Sequence, residues 1–418
     1  MLQAILPVRS ILIAIFMLMA GSGVMNTLVS VRLERAGSGA LLIGLVGTAY
    51  FAGLIVGALR IPSLVRRVGH IRAFAACVAA VSASTLVYAV HRDPLLWGML
   101  RFTDGISVAG VYICLESWLN ERADAETRGA VLAGYMTALY GGQAAGQFLL
   151  GLGNSDPALP LLVASILISL ASIPVVLTRI IAPLPDADDS PLSFRELYGV
   201  SPLGIMGVCV TGLMLGGFYA LGAVYASRLG MNLSATALFM SMAILGGVAL
   251  QWPLGRLSDR MDRRKVIVWS FAGTLAASLA IALVGSPGSL LMGLGAVFGG
   301  LSFALYPLCV AHTNDHLRPE QRIAASGGMV MLYSLGAALG PLAGATAMAI
   351  AGTGGLFFFI ALCAGGGLAF GLWRQTRSAP IPMDLQEQYV ILPRTTPASA
   401  ALDPVAPDET ADEQRSLH

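Results

Sequence analysis

The stretch NERADAETRGAVLAGYMTALYGGQAAG, residues 120–146, has a counterpart later in the chain. It is NDHLRPEQRIAASGGMVMLYSLGAALG, residues 314–340, at a constant shift of 194. The two match at Asn120/Asn314, Glu126/Glu320, Arg128/Arg322, Ala130/Ala324, Gly134/Gly328, Gly142/Gly336, Ala144/Ala338 and Gly146/Gly340. Glu121 pairs conservatively with Asp315. Each copy reads as an acid, six residues, an arginine, then a Gly/Ala-rich apolar helix. A repeat of nearly half the chain predicts two homologous halves, a layout that apolar chains use for transport across a membrane.

Composition points the same way. Of the 418 residues, 56% are hydrophobic and 11% charged, and the mean hydropathy is +0.76. Soluble domains carry about 25% charged residues. So much apolar side chain calls for lipid as solvent, and the 49 glycines suit helices packed backbone to backbone. The net charge of +2 is uninformative about nucleic-acid or acidic partners, and no nucleic-acid partner is expected of a chain with this composition. Cys77, Cys114, Cys209, Cys309 and Cys363 lie in apolar runs and read as small hydrophobes, neither disulfides nor metal ligands. The apolar start at 11–20 reads as a first span, because no cleavage site follows it.

A span needs about 20 mostly apolar residues. Twelve are predicted, near 9–31, 41–60, 73–91, 95–118, 128–152, 159–179, 202–227, 235–255, 266–285, 288–312, 322–350 and 354–374. The fold class is therefore an all-α membrane protein of two pseudo-symmetric six-helix bundles, 1–182 and 202–374. A linker at 183–201 joins them, and a polar tail at 375–418 is expected to be disordered. With the N-terminus inside, the outer loops hold Arg32, Arg35, Arg92 and Arg228, and most other basic residues fall on the inner side. The positive-inside bias then puts both termini in the cytoplasm.

Two loops carry a second repeat. One reads Gly255-Arg-Leu-Ser-Asp259-Arg260-Met-Asp262-Arg263-Arg264-Lys265, the other Pro62-Ser-Leu-Val-Arg66-Arg67-Val-Gly69-His70-Ile-Arg72. The first resembles Gly-x3-Asp-Arg-x-Gly-Arg-Arg, the hallmark loop of the major facilitator superfamily, with Asp262 in place of the second glycine. In the other, Pro62 replaces the first glycine and Arg66 the aspartate. Trp97-x3-Arg101-x2-Asp104-Gly105 looks like the family's fourth-helix motif, and Gly336-x3-Gly340-Pro341-x2-Gly344 like its exchanger motif. Helix 5 has Gln147 where that motif has proline. The run Glu116-Ser-Trp-Leu-Asn120 with Arg66 to Arg72 is similar to the YcaD-like subgroup.

The resemblance implies a multi-pass transporter of the bacterial cytoplasmic (inner) membrane, with helices 1, 4, 7 and 10 lining a central cavity. Candidate substrate residues are Asn26, Tyr112, Tyr219, Tyr225 and Tyr306, with Gln143 and Gln147 on one face of helix 5 and Gln251 in helix 8. Each could equally be interhelical glue, worth roughly 0.6 kcal/mol. Arg101 and Asp104 share a face within helix 4, at an insertion cost of about 2.5–3.5 kcal/mol each. Asp104 could carry a coupling proton with Arg101 setting its affinity, or the two could form a static pair. Glu116 is read as a gate residue first and a proton carrier second.

A carrier needs a breakable lock on its closed side, and exposed ion pairs of about 0–1 kcal/mol each can supply it. Glu121, Arg128, Asp315 and Arg322, with Arg67, Asp259, Arg260 and Arg263, are the expected cytoplasmic gate. The alternative is that these charges only cap helices and set topology. The expected function is secondary transport of a small solute by alternating access, with protons as coupling ion, export favoured over import, and a monomeric state. No G-x4-G-K-[ST], H-E-x-x-H or G-x-S-x-G occurs, so neither ATP drive nor an intramembrane enzyme is expected, and no cofactor or metal is required. A non-transporting receptor on the same scaffold is a third class.

Overall fold

The computed structural model describes residues 6–123, 126–177, 192–318, 321–377, 379–383 and 386–396. Twelve membrane-length helical segments run through these residues. In the first half they are α1 (Arg9–Arg35), α2 (Ala40–Val68), α3 (His70–Val90), α4 (Pro94–Arg122), α5 (Arg128–Gln147) and α6 (Leu159–Val176). In the second they are α7 (Pro202–Arg228), α8 (Leu233–Arg260), α9 (Arg263–Val284), α10 (Ser289–Asn314), α11 (Arg322–Ala351) and α12 (Gly355–Arg377). Eleven are long and apolar enough to cross a membrane. The exception is α5, whose Gly, Tyr and Gln residues lower its hydropathy, and which tightens into a 3-10 segment at Phe148–Asn154. The outer surface turns Leu41, Leu45, Leu86, Leu245, Leu283 and Leu362 outward, a belt that suits lipid.

Several helices outrun the apolar spans. At 29 residues, α2 and α4 are each about 43 Å long against a hydrocarbon core of about 30 Å. The helical backbone continues beyond Arg60 in α2 and beyond Trp118 in α4, and carries the charged Arg66, Arg67 and Glu121 at the helix ends. Gly69 ends α2 at φ 86, a conformation open to glycine, and its N–H closes on Val65 O at 2.8 Å.

The repeat of sequence is a repeat of packing. In the first half, Gly142 and Gly146 of α5 press on the backbone of Phe16 and Ala20 in α1. In the second, Gly336 and Gly340 of α11 press on Cys209 and Leu213 in α7. Gly53 and Gly105 bring α2 onto α4, and Gly246 and Gly299 bring α8 onto α10, in the same way. A Cβ at any of these positions would overlap a neighbouring carbonyl, so only glycine lets the backbones touch. The matched partners keep a spacing of 193 or 194 between halves, the offset that the sequence repeat shows.

Among the described residues, hydrogen bonds between the halves gather toward one end of the bundles. Ser30 Oγ donates to Ala220 O at 2.7 Å, Thr48 Oγ1 to Ala338 O at 2.8 Å and Ser241 Oγ to Ala144 O at 2.9 Å. Gly44 and Gly47 of α2 pack against Pro341 of α11. All these residues lie toward the face opposite the arginine-rich α2–α3 and α8–α9 turns, which we term the basic face. At the basic face the bundles part, and residues 386–396 lie between them. This part of the tail is therefore seated, where disorder is the sequence expectation. Its remainder from 397, linker residues 183–191, and Glu320 of the repeat lie outside the described residues.

Candidate functional site: the cavity between the bundles

The crevice encloses a cavity of about 120 Å³ beside the tail. Its wall takes Asn26 from α1, Tyr50, Leu54 and Ile55 from α2, Tyr112 from α4, and Tyr140 and Gln143 from α5. The second half adds Tyr219 from α7 and Val330 and Tyr333 from α11, and the tail adds Arg394. Four of the predicted cavity residues, Asn26, Tyr112, Gln143 and Tyr219, thus line it. Tyr219 donates to Gln143 Oε1 at 3.4 Å, across the bundle interface.

The other four do not line it. Gln147 Nε2 donates to Gly23 O at 3.1 Å and ties α5 to α1. Tyr225 donates to Ile281 O at 2.8 Å and ties α7 to α9. Tyr306 is buried behind Tyr333, edge to face at 5.3 Å between centroids. Gln251 is buried within α8, outside the lining set.

Arg394 enters a cage of rings. Its guanidinium carbon is 4.5 Å from the centroid of Phe303, 5.5 Å from Tyr333, 5.8 Å from Tyr140 and 5.9 Å from Tyr219. Nη2 donates to Tyr219 OH at 3.2 Å, while Nη1 is buried with no hydrogen-bond partner among the described residues. Both halves build this cage, Tyr140 coming from the first and the other rings from the second.

Two buried carboxyls face different surroundings. Asp104 is 3.5 Å from Arg101 Nη1, accepts from Tyr88 OH at 2.9 Å and from Ser84 Oγ. Arg101 also donates to Asn26 Oδ1 and lies 4.4 Å over the Tyr50 ring. That carboxylate faces a guanidinium and two hydroxyls. Glu116 is fully buried and accepts from Tyr135 OH at 2.6 Å and from the hydroxyls of Thr395 and Thr396. Among the described residues it faces no cation, so nothing balances its charge when it is ionised.

At the basic face the tail intercepts the charges of the second half. Arg263 Nη1 pairs with Asp315 at 2.6 Å, and Arg263 Nη2 reaches Asp259 at 3.2 Å and donates to Glu387 O at 2.6 Å. Asp315 accepts from Glu387 N at 3.1 Å and Asp259 from Tyr389 N at 2.8 Å. Arg322 pairs with the Glu387 carboxylate, not with Asp315. The Tyr389 ring lies on Gly255, where a Cβ would collide with it. Asp262 caps α9 by accepting from Arg264 N at 3.1 Å. Burial alone would raise its carboxyl, but the Arg264 guanidinium outweighs that and holds it below the ordinary value. In the first half, Arg67 and Glu121 are exposed and make no ion pair among the described residues, and the same is true of Arg260. The predicted Glu121/Arg128 pair is not formed. Arg128 is half-buried.

An ion pair that the sequence reading missed closes the other side. Arg228 at the end of α7 holds Glu34 at the end of α1 through two bonds of 2.7 and 3.0 Å. Partly exposed pairs are worth up to about 1 kcal/mol. Arg228→Ala is therefore expected to raise labelling of a cysteine at Gln143 from the opposite face about fivefold. Unchanged labelling would leave Glu34–Arg228 as surface decoration.

Two six-helix bundles related by a repeat, meeting around one polar-aromatic cavity, define the transporter class of membrane protein. The sequence profile of the Major Facilitator Superfamily matches residues 11–298 and 205–400, and the chain belongs to that family. It is 29% identical over 338 residues to the uncharacterized MFS-type transporter YcaD of Salmonella enteritidis, across 80% of this chain and 87% of that one. The Salmonella typhi counterpart is 28% identical over the same shares. The fold is similar to the nucleoside transporter NupG, with a TM-score of 0.71, 14% identity, and coverage of 88% of this chain and 99% of that one. It is equally similar to a bacterial homologue of the human lysosomal transporter Spinster in an inward-facing, occupied conformation. There the TM-score is 0.71, the identity 15% and the coverage 89% and 96%.

Proposed function

We propose that this chain is a proton-coupled secondary transporter that exports a small solute by alternating access and acts as a monomer in the bacterial inner membrane. The observation that carries this reading is one cavity shared by two repeated bundles, sealed by a seam on one side and parted on the other. The positive-inside bias assigns the basic face to the cytoplasm, which makes the arrangement inward-facing. Glu116 is the preferred proton carrier, because it lies fully buried at the tail-filled side of the crevice without a cation. Asp104 with Arg101 is preferred as a static lock of α4, because its partners already neutralise it. The gate at the basic face is the second-half set Asp259, Arg263, Asp315 and Arg322, now engaged by the tail. The Gly336-x3-Gly340-Pro341 pattern supports export, and Pro341 stands at the seam between bundles.

Reconstitution tests the reading. Proteoliposomes holding a pH-sensitive dye should show solute-dependent proton movement across a panel of small solutes. Its sign relative to the solute gradient separates export by antiport from import by symport. Solute uptake indifferent to a pH gradient would remove the proton from the scheme.

A further inference from the structure

We propose that the cage of Tyr140, Tyr219, Phe303 and Tyr333 is the head-group site for an organic cation, and that Arg394 is the chain's own occupant of it. The proposal rests on the transporter reading of the cavity and names its substrate class.

The chemistry of the walls selects the charge. Ring faces present negative potential, and a cation over them gains about 0.5–1 kcal/mol when exposed and about 2 kcal/mol or more when desolvated. Four rings lie within 6 Å of the Arg394 guanidinium carbon. Among the described residues no carboxylate pairs with it, and its one hydrogen bond goes to Tyr219 OH. The cage therefore holds a delocalised cation by ring faces and a hydroxyl, which suits a guanidinium, an alkylammonium or a phosphonium. An anion would meet the same negative ring faces, with neutral hydroxyl donors such as Tyr219 OH in the cage to offset them.

The adjoining wall selects the body. Phe51, Leu54, Ile55, Leu139, Val330 and Met331 line the same cavity with apolar surface. A ligand with a cationic head and an apolar body fills both parts.

The tail adds competition. Arg394 is tethered, so it acts at an effective concentration on the order of millimolar. Its neighbours Thr395 and Thr396 donate to Glu116. A cation that expels Arg394 therefore also strips hydroxyl donors from the carboxyl that we assign to the proton. Cation entry and proton exchange are linked through three consecutive tail residues.

The test uses the full chain in detergent and two probes of one shape and opposite charge, tetraphenylphosphonium and tetraphenylborate. The phosphonium is expected to bind and the borate not. Arg394→Ala empties the cage and should tighten phosphonium binding about tenfold, while Arg394→Lys should restore the wild-type affinity. Phe303→Leu should weaken binding, and the milder Tyr333→Phe provides a second cage variant if the first folds poorly. Equal binding of both probes, or an Arg394→Ala variant with unchanged phosphonium affinity, overturns the proposal. Binding needs no transport, so the two readings fail separately. Phosphonium binding without flux in proteoliposomes sinks the transporter reading alone. Flux of neutral solutes with no phosphonium binding sinks the cation site alone.

Discussion

Glu116→Gln is expected to abolish solute-driven proton movement in proteoliposomes, reducing it at least tenfold to the lipid background. Glutamine keeps the volume and the acceptor for the Tyr135 hydroxyl, so the surroundings of residue 116 need not change. What it removes is the one buried carboxyl in the crevice without a cationic partner among the described residues. Solute exchange that needs no proton should persist. Asp104→Asn is expected to behave differently. It leaves Arg101 buried at 3% exposure without its counter-charge, and breaking such a pair costs about 3–5 kcal/mol. That variant should lose thermal stability. Proton movement retained in Glu116→Gln and lost in a stable Asp104→Asn would reverse the assignment.

Truncation after Arg377 is expected to raise labelling of a Val330→Cys probe from the basic face by about tenfold or more. Val330 lines the cavity and is buried in the intact chain. The tail covers it through bonds to Arg263, Asp315, Asp259, Arg322 and Glu116. Each such bond is worth about 0.5–1.5 kcal/mol net, and more where a charge takes part. Lifting the segment must break several, and about 1.4 kcal/mol already corresponds to tenfold. Glu387→Ala should reproduce part of the effect, because it releases Arg322 while leaving the rest of the tail. Equal labelling with and without the tail would show that residues 386–396 do not occupy the crevice.

The architecture was legible from the repeat because two of its matched glycine pairs, Gly142/Gly336 and Gly146/Gly340, do a job that no other residue can. Gly142 and Gly336 sit on carbonyls of their first helices, so the sequence recorded a packing constraint directly. Polar residues of the cavity were only half legible. Gln143 and Gln147 share a helix face in sequence, yet one lines the cavity and the other ties α5 to α1. Periodicity places a side chain on a face and does not say what the face meets. Tyr140, Phe303 and Tyr333 escaped notice because aromatic residues in an apolar helix read as core. The spacing of Tyr140 to Gln143, one turn apart, was the signal available. The seat of residues 386–396 was illegible for a related reason. Its polar composition argues disorder, but Val390, Ile391 and Leu392 form a short apolar run just before Arg394. The partners of that run are distant in sequence, and composition holds no trace of them.

The glycine seams within each half have a mechanical consequence. Where carbonyl meets glycine across α1–α5, α2–α4, α7–α11 and α8–α10, no side-chain layer remains to be squeezed or re-sorted. Each six-helix unit should therefore swing as one stiff body. A pair of spectroscopic labels, one per unit, would then report the whole working stroke as a change in a single hinge angle.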